Sequence, residues 1–150
     1  MSHYMITMTL DISKDILAQI HAHGEAAYPE EGAGFLLGSD DGEQRYIAQI
    51  FVTENAREDE ARHNRYLVTP QEYLQAEIAA ELLGLSLIGV FHSHPDHPNC
   101  PSEFDREWAQ PFFSYVITGV NEGKAVESRS WRLAEDRSMF EEEKIISTQH

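Results

Sequence analysis

The strongest constraint on the fold is an apolar run at residues 85–91, LSLIGVF, which is followed at once by the polar triplet HSH. A nearly continuous apolar run of this length is typical of a strand that is buried on both faces of a sheet. In a strand, side chains two residues apart point to the same face, so His92 and His94 can reach one metal ion together. The sequence therefore predicts a central strand that presents two histidines on one face.

The segments before this strand have the patterns of one helix and several strands. Asp11 or Ser13 can cap the helix, whose apolar residues recur at helical spacing, and Pro29 ends it. Gly42 lies in an SDDG turn, and the charged stretch 54–64 is expected to form a loop. The predicted strands cover residues 5–10, 33–38, 44–53 and 66–68.

A second helix has the clearest boundaries of all. Thr69 fits an N-cap, Pro70 occupies the first turn, and Glu72 stands three residues after the cap, as in a capping box. Gly84 is a good C-terminal stop. The apolar positions that mark this helix are Tyr73, Leu74, Ile78 and Leu82.

Downstream of the two histidines, the loop HSHPDHPNCP leads into a helix predicted over residues 102–110. Residues 114–120 and 125–133 predict a hairpin, and the tail at 136–150 is expected to add an edge strand. The order of elements predicts an α/β fold with a mixed sheet and helices on both sides. Because no repeat or linker interrupts the chain, residues 1–150 are expected to form a single domain.

Length and charge exclude several classes of protein. A chain of 150 residues is too short for an eight-fold β/α barrel, which needs roughly 250 residues. The 26 acidic residues outnumber the 11 basic ones and give a net charge of −15, which argues against nucleic-acid binding. The sequence has no apolar run of membrane-spanning length, no signal-peptide pattern and a single cysteine, Cys100. A cytoplasmic protein without a disulfide or a membrane span is expected.

The chemistry-bearing pattern is H-x-H-x7-S-x2-D, formed by His92, His94, Ser102 and Asp105. Three prolines stiffen the loop between its halves, and the helix after the loop can fold back so that Asp105 becomes a third metal ligand. Two histidines and one carboxylate leave a fourth tetrahedral position open, which is typical of a catalytic zinc site. A water in that position has its pKa lowered to about 7 and still needs a base. Glu30 and Glu31 precede the glycine-rich strand at 33–38; Glu30 is expected to face solvent.

With these motifs, the chain resembles the JAMM, or MPN-plus (Mov34/PAD-type), zinc metalloproteases over most of its length. The family motif P-x-E-x-x-G-x-L-L-G stands here at residues 29–38, with its glutamate at Glu31, and the H-x-H…S-x2-D motif is complete. The stretches RYLVTPQEYLQ and RSWRL…FEEE are more similar to the short, stand-alone bacterial branch. That branch is similar to peptidases of the CysO-cysteine type, which act on ubiquitin-like sulfur-carrier proteins. Ala33 is a departure, since many relatives have cysteine there.

The resemblance implies one Zn²⁺ per chain, bound by His92, His94 and Asp105. Glu31 would take the proton from the water and deliver it to the leaving amine, and Ser102 would hydrogen-bond the developing oxyanion. The reaction implied is hydrolysis of the amide bond after the C-terminal diglycine of a ubiquitin-fold sulfur-carrier protein. The implied fold is a mixed, curled β-sheet flanked by helices, as in the zinc deaminases. Ser102 also fits a plain helix N-cap, because Ser-x-x-Asp is a capping pattern.

Other residues of reactive type are expected to lie outside the metal site. His97 is expected to be exposed in the loop, and Cys100 to be a loop thiol without a ligand role. The two tryptophans, Trp108 and Trp131, are expected in the core. Histidines without partners at metal spacing are His21, His23 and His63.

Other functions stay open beside the sulfur-carrier peptidase. One is a broader-specificity, deubiquitinase-like isopeptidase or a peptidase of the phage tail-assembly type, and another is a non-catalytic MPN scaffold, although scaffolds typically lack the ligands. A nucleoside deaminase is excluded because its H-x-E and P-C-x-x-C motifs are missing from the sequence.

Since a strongly acidic enzyme would repel an acidic carrier, we expect a basic cluster to dock it. The two candidate clusters are Arg57, Arg62 and Arg65, and Lys124, Arg129 and Arg132. The sequence predicts no oligomeric state.

Overall fold

The computed structural model describes residues 8–52 and 68–148. These residues form seven strands and three helices. In chain order the elements are β1 (Thr9–Ile12), α1 (Lys14–Ala27), β2 (Ala33–Asp40), β3 (Gln44–Phe51), α2 (Pro70–Leu82), β4 (Ser86–Pro95), α3 (Glu103–Trp108), β5 (Ser114–Asn121), β6 (Lys124–Leu133) and β7 (Phe140–Ile146).

The strands close into a mixed barrel in the order β1-β3-β2-β4-β5-β6-β7. The central strand β4 pairs antiparallel with β2 and parallel with β5. Helix α1 contacts β3, β4, β5 and β6, whereas α2 contacts β2 and β4. This arrangement confirms the predicted α/β fold with a mixed, curled sheet flanked by helices.

The tail strand differs from the prediction of an edge strand. β7 pairs antiparallel with β6 and also parallel with β1, so both of its edges are occupied. Closure of the barrel satisfies backbone groups that an edge strand would leave exposed. The pairing joins the two ends of the described chain, with Asp11 opposite Ile146.

The caps of the helices explain where they begin and end. Ser13 caps α1 by accepting from the Ile16 N–H, whereas Asp11, the other candidate cap, lies buried in β1. In α2 the predicted capping box is present, because Thr69 and Glu72 exchange side-chain and backbone hydrogen bonds. Gly84, with φ of +70°, adopts the left-handed conformation that ends this helix.

The core occupies both faces of β2 and β4. Leu36 and Phe91 pack with α1 residues in one cluster, while Phe35 and Val90 pack with residues of α2 in another. This two-sided burial confirms the central strand that the apolar run predicts.

Helix α2 turns its small residues inward. Ala76 and Ala80 are buried against the sheet, because their short side chains let the helix approach it closely. Three of the larger apolar residues that mark the helix in the sequence are exposed instead: Leu74, Ile78 and Leu82.

Several smaller expectations also changed. Trp108 is 55% exposed and therefore does not belong to the core, since the six-residue α3 buries only one side. Trp131 is half-buried, and its indole N–H donates to the Asn99 carbonyl at 3.1 Å.

The predicted loop at 54–64, including His63, lies outside the described residues, as does most of the predicted strand at 66–68. Within the described ranges, no helix is long and apolar enough to cross a membrane.

Candidate metal centre and active site

Strand β4 carries the two histidines into the interior of the protein. The strand continues through them to Pro95, with His92 opposite Ile117 and His94 opposite Gly119 of β5. Both histidines are buried, and their ring centroids lie 5.1 Å apart. The alternation of the strand therefore brings two imidazoles together, as the sequence predicts.

Two carboxylates from other elements converge on these imidazoles. Asp105, in the first turn of α3, places Oδ1 3.6 Å from His92 Nε2 and Oδ2 3.2 Å from His94 Nε2. Glu31, just before β2, places Oε1 3.9 Å from His92 Nδ1, and its side chain is only 9% exposed. Glu31, His92 and His94 each offer one ligand atom, and these atoms all lie within 4.8 Å of one another.

The protonation states suit a divalent cation. Burial lowers the pKa of His92 to about 4, so its imidazole is neutral at pH 7. Burial alone would raise the pKa of Asp105, but His92, His94 and the Ser102 N–H together lower it to about 2. A neutral imidazole and an ionised carboxylate are the forms that bind zinc-like metals.

A backbone carbonyl orients His94. Its Nδ1 lies 2.7 Å from the Pro98 carbonyl oxygen, which can only accept, so Nδ1 carries the proton. Nε2 is then the nitrogen that faces Asp105 and the cluster. Burial lowers the pKa of His94, but the hydrogen bonds to Asp105 and Pro98 outweigh it and raise the pKa above its usual value. The loop thus supplies the outer hydrogen bond that metal-binding histidines usually make.

Ser102 lies at the N-cap of α3, which confirms its capping pattern. Its Oγ accepts from the Asp105 N–H at 3.1 Å, and its own N–H donates to Asp105 Oδ2 at 2.8 Å. This capping box, formed by Ser102 and Asp105, therefore fixes the Asp105 carboxylate beside the histidines. The helix is shorter than predicted, since Ala109 already has extended backbone angles.

An open groove of about 600 Å³ leads to the cluster. Glu31, His94, Ser102 and Asp105 line its polar part, and no lysine or arginine is among the described residues that line it. Its other walls are formed by Pro29, Pro95, Asp96, His97, Pro98, Cys100 and Phe104.

The remaining candidate residues stay outside the ligand cluster. His97 and Cys100 are exposed on the groove wall, and the Cys100 thiol lies 3.6 Å from Arg129 Nη1. His21 hydrogen-bonds Ser128, and His23 packs edge-on against Phe91. Glu30, which is expected to face solvent, is partly exposed.

The arginines of the second basic cluster are paired within the protein. Arg129 is bonded to Glu142 and lies 4.8 Å from the Trp131 ring, while Arg132 is bonded to Glu143. This pairing weakens the case for that cluster as a docking surface. The first cluster, Arg57, Arg62 and Arg65, lies outside the described residues.

Sequence reasoning missed the residues that hold the Glu31 segment. Ser93, between the histidines, hydrogen-bonds Gly32, and Tyr28 hydrogen-bonds Asp96. The only signal available for Ser93 was the alternation of β4, which turns its side chain away from the imidazoles.

Comparison with known proteins identifies the family of the chain. The family described as "Prokaryotic homologs of the JAB domain" matches residues 13–134. The chain is 31% identical over 114 residues to the "Probable TtuB-protein conjugate cleaving protease" of Thermus thermophilus, covering 76% of this chain and 72% of that protein. It is 27% identical over 118 residues to the "Desampylase" of Haloferax volcanii, covering 78% of this chain and 82% of that protein.

A solved structure agrees with the fold. The solution structure of a protein from Salinibacter ruber is 44% identical and superposes with a TM-score of 0.73, covering 93% of this chain and 92% of that chain. The family match spans β4, the groove and the predicted JAMM motifs, and both curated relatives are named as enzymes. The chain therefore belongs to the prokaryotic JAB family and is a JAMM-type protease.

Proposed function

We propose that this protein is a zinc-dependent peptidase and isopeptidase that hydrolyses the amide bond after the C-terminal diglycine of a ubiquitin-like sulfur-carrier protein. The observation that carries the proposal is the convergence of Glu31, His92, His94 and Asp105, of which all but the fully buried His92 line the groove. The names of the two relatives support a protein conjugate as substrate. We further propose that residues 1–150 act as one catalytic domain in the cytoplasm.

His92, His94 and Asp105 would hold one zinc ion per chain. Two imidazoles and a carboxylate fit zinc, and such a ligand set would leave a fourth coordination position for water or substrate. When bound, zinc polarises a carbonyl oxygen and lowers the pKa of a water. The Pro98 carbonyl and the Ser102 N–H would keep two of these ligands in place.

Glu31 is the proposed general base and later the general acid. Its carboxylate lies beside His92 and is nearly buried, so a proton transfer there would occur largely out of bulk water. It would accept a proton from the attacking water and deliver that proton to the leaving amine.

Ser102 can serve as both a cap and an oxyanion donor. Its oxygen accepts from the Asp105 N–H, and a hydroxyl that accepts one hydrogen bond still has its own proton to donate. That proton would stabilise the negative charge that develops on the scissile carbonyl oxygen. Ser102 is also exposed on the groove wall, within reach of a substrate.

The shape of the groove favours a diglycine end. Prolines and Phe104 form its walls, and the ligand atoms lie buried beneath it. A segment without Cβ atoms can approach buried groups more closely than other residues. The broader-specificity isopeptidase remains the second candidate, because the Haloferax volcanii relative is named a desampylase.

Mass spectrometry of substrate fusions tests the proposal. The zinc-loaded enzyme is incubated with a diglycine-ending sulfur carrier extended by one amino acid, by a short peptide, or through an isopeptide bond to a target protein. We expect a single cut directly after the second glycine, and the same cut slowed by about 10²-fold or more in the matched Glu31→Gln variant. Cleavage of the one-residue extension would favour a sulfur-carrier peptidase, and cleavage of the isopeptide conjugate alone would favour the broader isopeptidase. Failure to cut any fusion would contradict both.

A further inference from the structure

We propose that Ser93 is a positioning residue that holds the Glu31 carboxylate over the metal ligands. The inference rests on the role of Glu31 given under the proposed function. Ser93 stands between His92 and His94 and is buried, yet it belongs to none of the ligand or groove-lining sets.

Two hydrogen bonds join Ser93 to the residue after Glu31. The Ser93 Oγ accepts from the Gly32 N–H at 2.9 Å, and the Ser93 N–H donates to the Gly32 carbonyl at 3.0 Å. Ser93 of β4 thus holds both the backbone N–H and the backbone carbonyl of Gly32. Because buried backbone groups require partners, the Gly32 peptide cannot leave this position without losing both bonds.

The register of the sheet explains why this contact controls Glu31. Ala33 is the first residue of β2 and stands opposite His92 in an antiparallel pairing. If the same register is extended by one residue before β2, Gly32 lies opposite Ser93. If it is extended by two residues, Glu31 lies opposite His94. Ser93 therefore extends the ladder beyond the end of β2 and carries Glu31 into line with the ligand strand.

Ser93 cannot act on a substrate directly. Alternation in β4 turns its side chain to the face opposite the imidazoles, where it packs against α1. A Cβ at Gly24 of α1 would lie 3.2 Å from the Ser93 Cβ. The close packing leaves the hydroxyl aimed at Gly32, whose own Cβ would lie 2.9 Å from the His23 ring. Its effect on catalysis must pass through the Glu31 segment.

A second contact holds the other end of the same segment, but at the surface. The Tyr28 hydroxyl donates to Asp96 Oδ2 at 2.6 Å, and Asp96 also accepts from the Glu122 N–H at 2.8 Å. Because water can replace an exposed hydrogen bond more easily than a buried one, we expect Ser93 to control Glu31 more strongly than Tyr28 does.

The test is a double-mutant cycle between Ser93→Ala and Glu31→Gln, with a carrier fusion as substrate. Steady-state cleavage gives kcat and KM, and single-turnover cleavage with enzyme in excess gives the rates compared in the cycle. We expect Ser93→Ala to lower kcat about 10- to 100-fold, with KM and zinc content within twofold of wild type. In the Glu31→Gln background, Ser93→Ala should change the rate less than twofold, because groups that act as a unit are not additive. Ser130→Ala is the matched control, since it removes another buried serine hydroxyl, bonded to Glu143, and should leave kcat unchanged.

Any one of three results would overturn the inference. They are a wild-type kcat for folded Ser93→Ala, an equal effect of Ser93→Ala with and without Glu31, and loss of zinc from Ser93→Ala. Should Ser93→Ala fail to fold, Ser93→Cys, a weaker acceptor of the same shape, takes its place in the cycle with a smaller expected decrease. If wild-type enzyme cuts no fusion, the proposed function fails first, whereas an active wild type with an additive cycle refutes only the role of Ser93.

Discussion

Two clusters of mostly buried charge in the barrel differ in their electrostatic balance. In the first, which we call the arginine cluster, Arg45 is paired with the exposed Asp40 at 2.9 Å, and Arg132 is paired with the buried Glu143. Its two positive and two negative charges sum to zero. The second, the metal centre, combines the carboxylates of Glu31 and Asp105 with two histidines, one of which is neutral at pH 7 because burial lowers its pKa to about 4.

This difference distinguishes charged residues that stabilise the fold from charged residues that can take part in catalysis. The arginine cluster satisfies most of its hydrogen bonds internally: the Arg45 Nη1–H donates to Ser114 Oγ, and the Ser130 hydroxyl donates to Glu143. The candidate metal centre instead gathers two carboxylates and two imidazoles beside an open groove, a donor set that suits a divalent cation. Substitutions in the arginine cluster should therefore change stability, whereas substitutions in the metal centre should change chemistry.

The largest effect is expected from Glu31→Gln. Loss of the general base should lower kcat by about 10²- to 10⁴-fold, because the amide cannot accept the proton. Zinc content should stay unchanged, since the proposed ligands remain. Rates come from cleavage of the carrier fusion and zinc from plasma mass spectrometry. A Glu31→Gln variant with wild-type turnover would refute the assigned base.

Glu143→Ala tests the other side of the comparison. Removing one partner of a buried ion pair leaves Arg132 buried and unbalanced, so the free energy of unfolding should fall by about 3–5 kcal/mol. Glu142→Ala is the matched control: it breaks the more exposed pair with Arg129 and should cost at most about 1 kcal/mol. Urea denaturation measures both. Equal losses for the two variants would contradict the assignment of Glu143 to a buried structural pair.

Removal of the metal should lower the stability of the folded protein by less than Glu143→Ala does. A ligand present at about 100 times its Kd stabilises the folded state by about 2.7 kcal/mol, so chelation of the zinc-loaded protein should lower Tm by several degrees. The same treatment should hardly change the Tm of Asp105→Asn, which lacks a proposed ligand. The Glu143→Ala variant should keep the full chelation shift, although it starts from a lower Tm. A chelation shift in Asp105→Asn as large as in wild type would argue against Asp105 as a ligand.

The smallest effect is expected from Tyr28→Phe. This change removes the exposed hydrogen bond to Asp96 while keeping the aromatic ring. Water can take over at Asp96, so kcat should fall by less than about threefold. Steady-state cleavage of the fusion measures the change, and a loss as large as that of Ser93→Ala would show that the outer contact matters as much as the buried one.

Much of the site could be predicted from the sequence because its determinants are local. Strand alternation placed His92 and His94 on one face, and the capping pattern of Ser102 placed Asp105 in the first turn of α3. Likewise, Thr69, Glu72 and Gly84 fixed both ends of α2.

The features that escaped prediction depend on pairings between distant parts of the chain. Closure of β7 onto β1 joins segments more than 130 residues apart, and nothing in the tail specifies a partner. The Ser93–Gly32 contact follows only from the register of β2 with β4. The outward face of α2 depends on how closely Ala76 and Ala80 fit the sheet, which is a property of the packed structure rather than of helical periodicity.

The central claim is that His92, His94 and Asp105 form a zinc site, and the zinc content of purified wild-type and Asp105→Ala protein tests it most directly. Plasma mass spectrometry should find about one zinc per wild-type chain and little or none in the folded variant, because a tetrahedral site that loses a carboxylate ligand binds the metal weakly. Wild-type protein without zinc, or a folded Asp105→Ala variant that retains a full equivalent, would contradict the account.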